Sequence, residues 1–456
     1  MKRTIFMLML LVGLSVSAKK HYKYRICFSD KQGTEYTIDN PHEFLSERAL
    51  ERRARQHLAV DETDLPVSKA YLQQILSKNV RLVHTSKWNN TALVELTDTS
   101  VVDEIARLPF VKATRLVWIE PDNTPKRDKK RKQEVTNQAP DTLSASAYGD
   151  ALQQIAIHNG DKLHEVGFKG SGMTVAVIDG GFYNVDAIDF FKDMRLLGTH
   201  DFANVESDIF AENAHGMMVL SCMAANTPRV LTGTAPEASY WLLRSEDADS
   251  EQPVEEDNWA AAIEFADSVG VDVINTSLGY HTFDEPHAGY RYRDLDGYTS
   301  LISSSASMAA DKGMVVVCSA GNAGKAEWKK VTPPGDAEHV LTVGATTREG
   351  VNAEFSSIGN SADGRVKPDV MAVGVSSAVS STAGTPRRGN GTSFASPIFC
   401  GLVACFWQAC PWLSAHEVID AMRKAGSQAD YPDNIYGYGI PDVWKAYQTA
   451  RQQRQQ

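Results

Sequence analysis

The chain has 456 residues, more than one hydrophobic core usually supports, so we expect two folded domains. Apolar residues make up 43% and charged residues 23%, as is ordinary for a soluble globular protein. The net charge is −11; residues 2–3 contribute +2 and residues 126–132 contribute +5, so the rest carries −18, which argues against nucleic-acid binding.

The N-terminus has the pattern of a secretory signal peptide. Lys2 and Arg3 precede an apolar run at residues 5–12, and small residues up to Ala18 follow. The run is short for a membrane span, and no later segment reaches membrane length. We therefore expect residues 1–18 to be removed and the mature protein to be secreted or periplasmic, without a membrane span. The alternative is a buried N-terminal helix.

The six cysteines form no Cys-x-x-Cys pair and no zinc-binding spacing. They are Cys27, Cys222, Cys318, Cys400, Cys405 and Cys410. Five lie in strongly apolar runs, which favours buried free thiols, although export would permit disulfides.

Residues 19–124 have the element order of a small α+β unit. Strand patterns fall at residues 22–28, 80–85, 91–96 and 111–119, and helical patterns at residues 44–57, 67–78 and 101–108. This order is compatible with a ferredoxin-like split unit.

A change in composition marks residues 125–147, which are rich in Pro, Lys, Arg, Asn and Ser and include the basic run at 126–132. Such a segment has little to pack, so we predict a flexible, protease-accessible linker. The alternative explanation of its charge is solvation alone.

The pattern from residue 148 to residue 450 predicts an α/β domain, followed by a polar tail at 451–456. Short runs rich in Val and Ile alternate with helical patterns, at residues 174–178, 240–243, 271–274, 314–318 and 340–343. Runs of this kind are typical of parallel strands buried on both faces, so we expect a mostly parallel sheet with helices on both sides.

Four polar side chains follow predicted strands or begin predicted helices. Asp179 ends a strand before two glycines, His215 opens an apolar helix, Asn322 lies in a glycine-rich turn, and Ser393 lies where a glycine turn becomes a helix. Each alone is more simply a capping or turn residue. Open parallel sheets bind ligands at this edge, so four such residues together favour a catalytic site.

The stretch at residues 391–397 resembles, almost letter for letter, the nucleophile motif of the subtilisin-like serine peptidases. The chain order Asp, His, Ser also matches that family. Further similar stretches lie at residues 233–236, 275–279, 334–335, 340–345, 355–357, 363–370 and 437–439. The resemblance covers residues 148–450, and an exported N-terminal unit followed by a linker resembles the family's zymogen layout.

The resemblance implies acyl transfer to water. His215 would take the proton of Ser393 as the hydroxyl attacks a peptide carbonyl, and Asp179 would hold the imidazole. The Asn322 amide and the Ser393 backbone N–H would stabilise the oxyanion. No metal or organic cofactor is expected to be required.

The resemblance also implies where an extended peptide or protein substrate would bind. Ser277, Leu278 and Gly279 would offer a strand edge, and Gly321 would leave room for the side chain beside the cleaved bond. The alternative is an ordinary strand and turn. The chain's own N-terminal unit is the other expected partner.

The chain departs from the family at several positions. Gly180 stands where Thr or Ser is usual, and Met217 and Met218 replace a Thr and a second His. Residues 226–232 are shorter than the calcium-binding loop of many relatives and lack a carboxylate, so structural calcium is unsupported. An insertion at residues 280–298 carries several acidic residues. The simpler interpretation is a solvated acidic loop; the alternative is a loop that lines the substrate groove or binds a cation.

We therefore predict a secreted serine endopeptidase made as an inactive precursor, with residues 19–124 as its inhibitory propeptide. Two other hypotheses remain open: a peptide-binding pseudoprotease that uses the same groove, and a peptide ligase that passes the acyl group to an amine.

Overall fold

A computed structural model provides the structure of the protein and describes residues 19–122, 135, 137 and 143–455. The predicted signal peptide at 1–18 and most of the predicted linker at 125–147 lie outside the described residues.

The N-terminal unit is a four-stranded antiparallel sheet with helices against it. Its elements are β1 (Tyr22–Phe28), α1 (Glu47–Arg55), α2 (Lys69–Leu76), β2 (Arg81–Ser86), β3 (Thr91–Leu96), α3 (Val101–Ala106) and β4 (Val111–Ile119). The strand order β2-β3-β1-β4 is that of a ferredoxin-like split unit, as predicted. Ile26, Val94 and Ile105 lie in its core.

The larger unit is mixed α/β. Its strands are β5 (Thr174–Asp179), β6 (Arg195–Asp201), β7 (Asn226–Thr227), β8 (Leu231–Thr232), β9 (Ser239–Arg244), β10 (Val273–Thr276), β11 (Val315–Ser319), β12 (Val340–Thr346), β13 (Val370–Val373), β14 (Ser377–Ser380) and β15 (Pro386–Gly389). Its helices are α4 (Leu152–Ala156), α5 (Gly160–Glu165), α6 (His215–Ala224), α7 (Val254–Ser268), α8 (Leu301–Met308), α9 (Thr392–Ala409), α10 (Ala415–Lys424) and α11 (Val443–Gln455). The last helix includes residues 451–455 of the predicted polar tail.

Seven parallel strands form the central sheet in the order β13-β12-β11-β10-β5-β9-β6. All five predicted strands are present, and the two outermost strands are additional. Alternate side chains of β5 enter different cores: Val175 and Val177 pack with α6 and α9, whereas Ala176 and Ile178 pack with α7 and α8. The expected sheet with helices on both faces is therefore confirmed.

Helix α9 passes through the main core. Within the part of the chain that the structure describes, it is the one helix long and apolar enough to cross a bilayer, but 94% of it is buried inside the fold. Its apolar composition is explained by this burial. All six cysteines are free thiols, five of them buried.

The sheet order determines where a ligand can bind. The chain leaves β5 toward β6 and β9 on one side and then returns to place β10 on the other side. This reversal opens a crevice at the carboxyl ends of β5 and β10, where open parallel sheets bind ligands.

The N-terminal unit packs on α7, on the opposite side of the sheet from α9. Leu93 and Val117 contact Val254, and the buried guanidinium of Arg25 donates two 2.6 Å hydrogen bonds to Asp257. The two units therefore share a contact with both apolar and ionic parts.

Candidate active site

Asp179 and His215 form a hydrogen-bonded pair at the crevice. Asp179 is the fully buried last residue of β5, and its Oδ1 and Oδ2 lie 2.8 and 3.1 Å from Nδ1 of His215. The backbone N–H of Gly180 also donates to Oδ1. Gly216 permits this approach of α6, because a Cβ there would lie 2.4 Å from the Gly181 carbonyl oxygen.

The environment makes His215 a stronger base than free histidine. Burial lowers its pKa, but the negative charge of Asp179 and the hydrogen bond to it outweigh burial, so the pKa of His215 is raised. Since the Asp179 carboxylate accepts at Nδ1, the Nδ1 proton stays there and Nε2 is left as the acceptor in the neutral ring. The side chain is 32% exposed.

Ser393 is the second residue of α9, beside this pair. The ring of its neighbour Phe394 lies 6.2 Å from the His215 ring, centroid to centroid. The Ser393 hydroxyl donates to the Ser277 carbonyl at 3.4 Å, and within the described ranges it has no hydrogen bond to His215. Catalytic hydrogen bonds are often long or poorly aligned without substrate and tighten when it binds.

Asn322 is oriented by Thr392. Its Oδ1 accepts hydrogen bonds from the Thr392 backbone N–H at 2.9 Å and from the Thr392 hydroxyl at 3.0 Å. A Cβ built on Gly391 would lie 3.6 Å from the Ser393 nitrogen and 3.8 Å from Asn322 Nδ2. Asn322 Oδ1 lies at the same 3.8 Å, so the Asn322 amide and the Ser393 nitrogen are neighbours at the positively polarised end of α9.

The predicted substrate-binding residues lie next to Ser393. The hydroxyl of Ser277 donates to the Ser393 carbonyl at 2.9 Å. Ser277 and Leu278 are buried, whereas Gly279 is exposed. Gly321 has φ +102°, a conformation that favours glycine, and immediately precedes Asn322.

Sequence reasoning missed a buried network beneath the nucleophile. The Ser396 hydroxyl donates to Asn275 Oδ1 at 2.9 Å, and Asn275 Nδ2 donates to the Ser277 hydroxyl at 3.2 Å. Asn275 and Ser396 both lie within the stretches that resemble the family. Their contact joins β10 to α9, and a contact between distant segments cannot be recognised from a local sequence pattern.

Glu246 was also missed. Its Oε1 accepts a hydrogen bond from the Tyr280 hydroxyl at 2.8 Å, and its Oε2 lies 3.1 Å from where a Gly180 Cβ would be. Burial, followed by repulsion from Asp179, raises the pKa of Glu246 to about 7. The sequence feature that could have indicated Glu246 is its position two residues after the end of β9, at the ligand-binding edge of the sheet. Gly180 therefore lies where a second carboxylic acid, Glu246, approaches the Asp179–His215 pair.

Potential metal-ligating side chains are dispersed over the described part of the chain. Across residues 19–122 and 143–455 there is no group of three or more His, Cys, Asp or Glu side chains that could hold one. Residues 226–232 form the tight β7–β8 hairpin without a carboxylate, so this segment does not fit calcium, which prefers several oxygen ligands.

A seven-stranded parallel sheet with helices on both faces thus carries an acid, an imidazole and an alcohol near its carboxyl edge, namely Asp179, His215 and Ser393. The sequence matches the subtilase family, Peptidase S8, over residues 170–439, more than half of the chain. Residues 23–138 match the Peptidase S8 propeptide domain of Bacteroidota. The chain belongs to the subtilase family: it is a serine peptidase, a hydrolase of peptide bonds, with a propeptide domain.

Individual relatives agree with this assignment. Subtilisin DY of Bacillus licheniformis is 31% identical over 301 residues, covering 64% of this chain and 97% of the relative. Subtilisin NAT of Bacillus subtilis subsp. natto is 32% identical over 292 residues, covering 63% of this chain and 68% of the relative. The solved structure of MycP1 with the N-terminal propeptide removed shares the fold, with a TM-score of 0.51 and 23% identity over 66% of this chain and 98% of that one.

Proposed function

We propose that the protein is a secreted serine endopeptidase in which Ser393 is the nucleophile, His215 the general base and Asp179 the residue that orients it. The observation that carries this proposal is the Asp179–His215 hydrogen bond at 2.8 Å beside the start of α9. Because Nδ1 is bonded to Asp179, Nε2 is the ring nitrogen that remains to take a proton, and the His215 ring lies 6.2 Å from the ring of Phe394, the neighbour of Ser393.

The chemistry proceeds in two halves. The Ser393 oxygen bonds to the peptide carbonyl carbon as its proton passes to His215 Nε2; that proton then goes to the leaving amine as the C–N bond breaks. Water, deprotonated by the same nitrogen, attacks the carbon of the ester; the bond from that carbon to the Ser393 oxygen breaks, Nε2 returns the proton to this oxygen, and the acid leaves. Asp179 stays ionised and stabilises the imidazolium in both halves.

The developing oxyanion would be held by the Ser393 N–H and Asn322 Nδ2. Fixing Asn322 Oδ1 on Thr392 supports this role, because an acceptor bonded there leaves the amide's N–H₂ end free to donate. One such donor contributes about 3 kcal/mol in subtilisin. Every reacting group is a side chain or backbone group, so we propose that no cofactor is required.

Substrate would bind as an extended strand along residues 277–279. Gly279 is exposed at the end of this segment, and Ser277 is bonded to the Ser393 carbonyl, so a peptide paired here would carry its carbonyl to the nucleophile.

The propeptide domain would keep the precursor inactive. Its sheet lies on α7, and several buried ion pairs cross the contact, including Arg25 with Asp257 and Arg53 with Asp267. We propose that residues 19–124 inhibit until the linker at 125–147 is cut, that residues 148–450 form the catalytic domain, and that the signal peptide delivers the chain outside the cytoplasm.

The proposal is tested by comparing the full chain with its Ser393→Ala variant on a peptide library, with products identified by mass spectrometry. Cleaved peptides from the wild type and none from the variant are expected, with activity rising once residues 19–147 are removed. Cleavage that persists in the variant would contradict the role of Ser393. Joined peptides in place of cleaved ones would favour the ligase, and full activity in the intact precursor would contradict inhibition.

A further inference from the structure

Two glycines bound a narrow slot beside the nucleophile. Gly279 ends the segment proposed to pair with substrate, and Gly321 precedes the proposed oxyanion donor Asn322. If the reacting carbonyl lies between Asn322 and Ser393 while the peptide follows residues 277–279, the side chain just before the cleaved bond must enter between these two glycines. The slot therefore selects that side chain.

Thr332 occupies the space between the two glycines. A Cβ built on Gly279 would lie 2.1 Å from Thr332 Oγ1, and one built on Gly321 would lie 3.0 Å from the same oxygen. Two real Cβ atoms could not stand there together with this threonine. Thr332 thus fills much of the room that the missing side chains leave.

Backbone hydrogen bonds hold the main chain around Thr332 against the segments that contain Gly321 and Gly279. Its backbone N–H donates to the Ala320 carbonyl at 3.3 Å, and the next residue, Pro333, accepts from the Tyr280 N–H at 3.0 Å. Thr332 is 5% exposed. These bonds fix the main chain of Thr332, and close packing against Gly279 and Gly321 leaves its side chain little room to change rotamer.

Ser357 is a second side chain that occupies the space next to Gly321. Its hydroxyl would lie 2.9 Å from a Gly321 Cβ and accepts from the Ala323 N–H at 3.0 Å, and the residue is fully buried. The backbone N–H of Ser357 donates to the Gly321 carbonyl at 2.9 Å, which fixes this distance.

We infer that Thr332 makes this peptidase selective for substrates with a small side chain, glycine, alanine or serine, immediately before the cleaved bond. The inference rests on the proposed function, because the slot is defined by the course of a bound peptide. Its physical basis is packing: a side chain longer by one or more methylenes meets Thr332 and Ser357 instead of open space.

The test uses the enzyme matured from the full chain and peptides that differ only at the residue before the cleaved bond, alanine or phenylalanine. The wild type should cleave the alanine peptide with a kcat/KM at least roughly tenfold higher. Thr332→Gly should shift that ratio toward phenylalanine by roughly tenfold or more. Thr332→Val, which keeps the shape and removes the hydroxyl, should retain the preference for alanine.

The outcomes are separable when each variant is first titrated with a fluorophosphonate that labels active serine. Labelled wild type that cleaves phenylalanine as well as alanine overturns the inference and leaves the proposed function standing. The same holds if labelled Thr332→Gly keeps the wild-type ratio. Wild type that neither reacts at Ser393 nor cleaves any peptide overturns the proposed function and the inference with it.

Discussion

Thr392 and Asn322 illustrate how one residue can prepare another for catalysis. The Thr392 hydroxyl accepts from the Gly321 N–H at 3.2 Å and donates to Asn322 Oδ1 at 3.0 Å. The hydroxyl and backbone N–H of Thr392 thus fix which end of the amide faces the helix. An amide held in this way needs no reorganisation when negative charge develops on the substrate.

Asn322→Ala should lower kcat roughly 10²- to 10³-fold with little change in KM, because the donor acts mainly on the oxyanion of the transition state. Steady-state kinetics on one peptide substrate measures this. Asn204→Ala, in an exposed loop, is the control and should leave both constants unchanged. A rise in KM at constant kcat would place Asn322 in ground-state binding instead.

The raised pKa of His215 sets the acid limit of activity. The neutral ring is the base, so kcat/KM should fall as the pH drops below the raised pKa. Asp179→Asn removes the main cause of the rise, so the acidic limb should move to lower pH while kcat drops by about 10⁴-fold. Glu165→Gln, an exposed carboxylate at the end of α5, is the control.

Measuring kcat/KM between pH 4 and 9 for the wild type and for Asp179→Asn shows whether the acidic limb of the profile moves. A limb that stays in place, or moves to higher pH, would contradict the assignment of Asp179 as the charge that raises the His215 pKa.

At the scale of elements, a hydrogen-bonded chain of three side chains attaches α9 to β10. Asn275 is fully buried and satisfies both Ser396 and Ser277, and the latter holds the Ser393 carbonyl. The position of Ser393 depends on the position of α9, because Ser393 is at the start of this helix. The network therefore contributes both to the stability of the fold and to the placement of the proposed nucleophile.

Asn275→Ala should destabilise the fold by about 1–3 kcal/mol, because buried hydroxyls lose their partner. Urea unfolding, carried out in the Ser393→Ala background to prevent self-digestion, measures the change. Asn204→Ala should stay within about 0.5 kcal/mol of the parent. An equal unfolding midpoint for Asn275→Ala and the parent would mean that water replaces the network at no cost.

A secondary-structure element could be predicted from the sequence where its own residues follow one clear hydrophobic pattern. The five central strands are continuous apolar runs because they are buried on both faces. Strand β6 lies at the sheet edge with mostly exposed residues, and β13 has only four residues, so neither has a strong signal. Helix α7 was missed because it buries Glu255, Glu256 and Asp257, an arrangement that depends on surrounding loops and on the N-terminal unit.

The site followed the same rule. Asp179, His215, Asn322 and Ser393 could be proposed as site residues because each stands at or next to a strand or helix end, and parallel strands place their carboxyl ends at one edge of the sheet. Thr332 and Asn275 could not be assigned roles, since both act through contacts between segments far apart in sequence.

At the scale of the whole molecule, the contact between the two units depends on buried charge. Arg25, Asp257 and Glu256 are each at most 5% exposed, and Arg25 is the cation that the two acids share. Such a contact is specific, because loss of one partner leaves the others buried without compensation.

Arg25→Met should weaken inhibition by the propeptide domain by about 2–5 kcal/mol, chiefly through faster dissociation. The expected result is a shorter lag before peptide hydrolysis and less N-terminal unit copurifying with the matured enzyme. Arg81→Met, an exposed residue paired with Glu95 within the N-terminal unit, is the matched control. An unchanged lag would show that apolar contacts hold the two units together.

The most direct measurement is the mass-mapped site of fluorophosphonate labelling in the matured protein. The account predicts one adduct, on Ser393, that disappears in Ser393→Ala and forms far more slowly in His215→Ala. An adduct on another serine, or equal labelling rates with and without His215, would contradict the catalytic assignment.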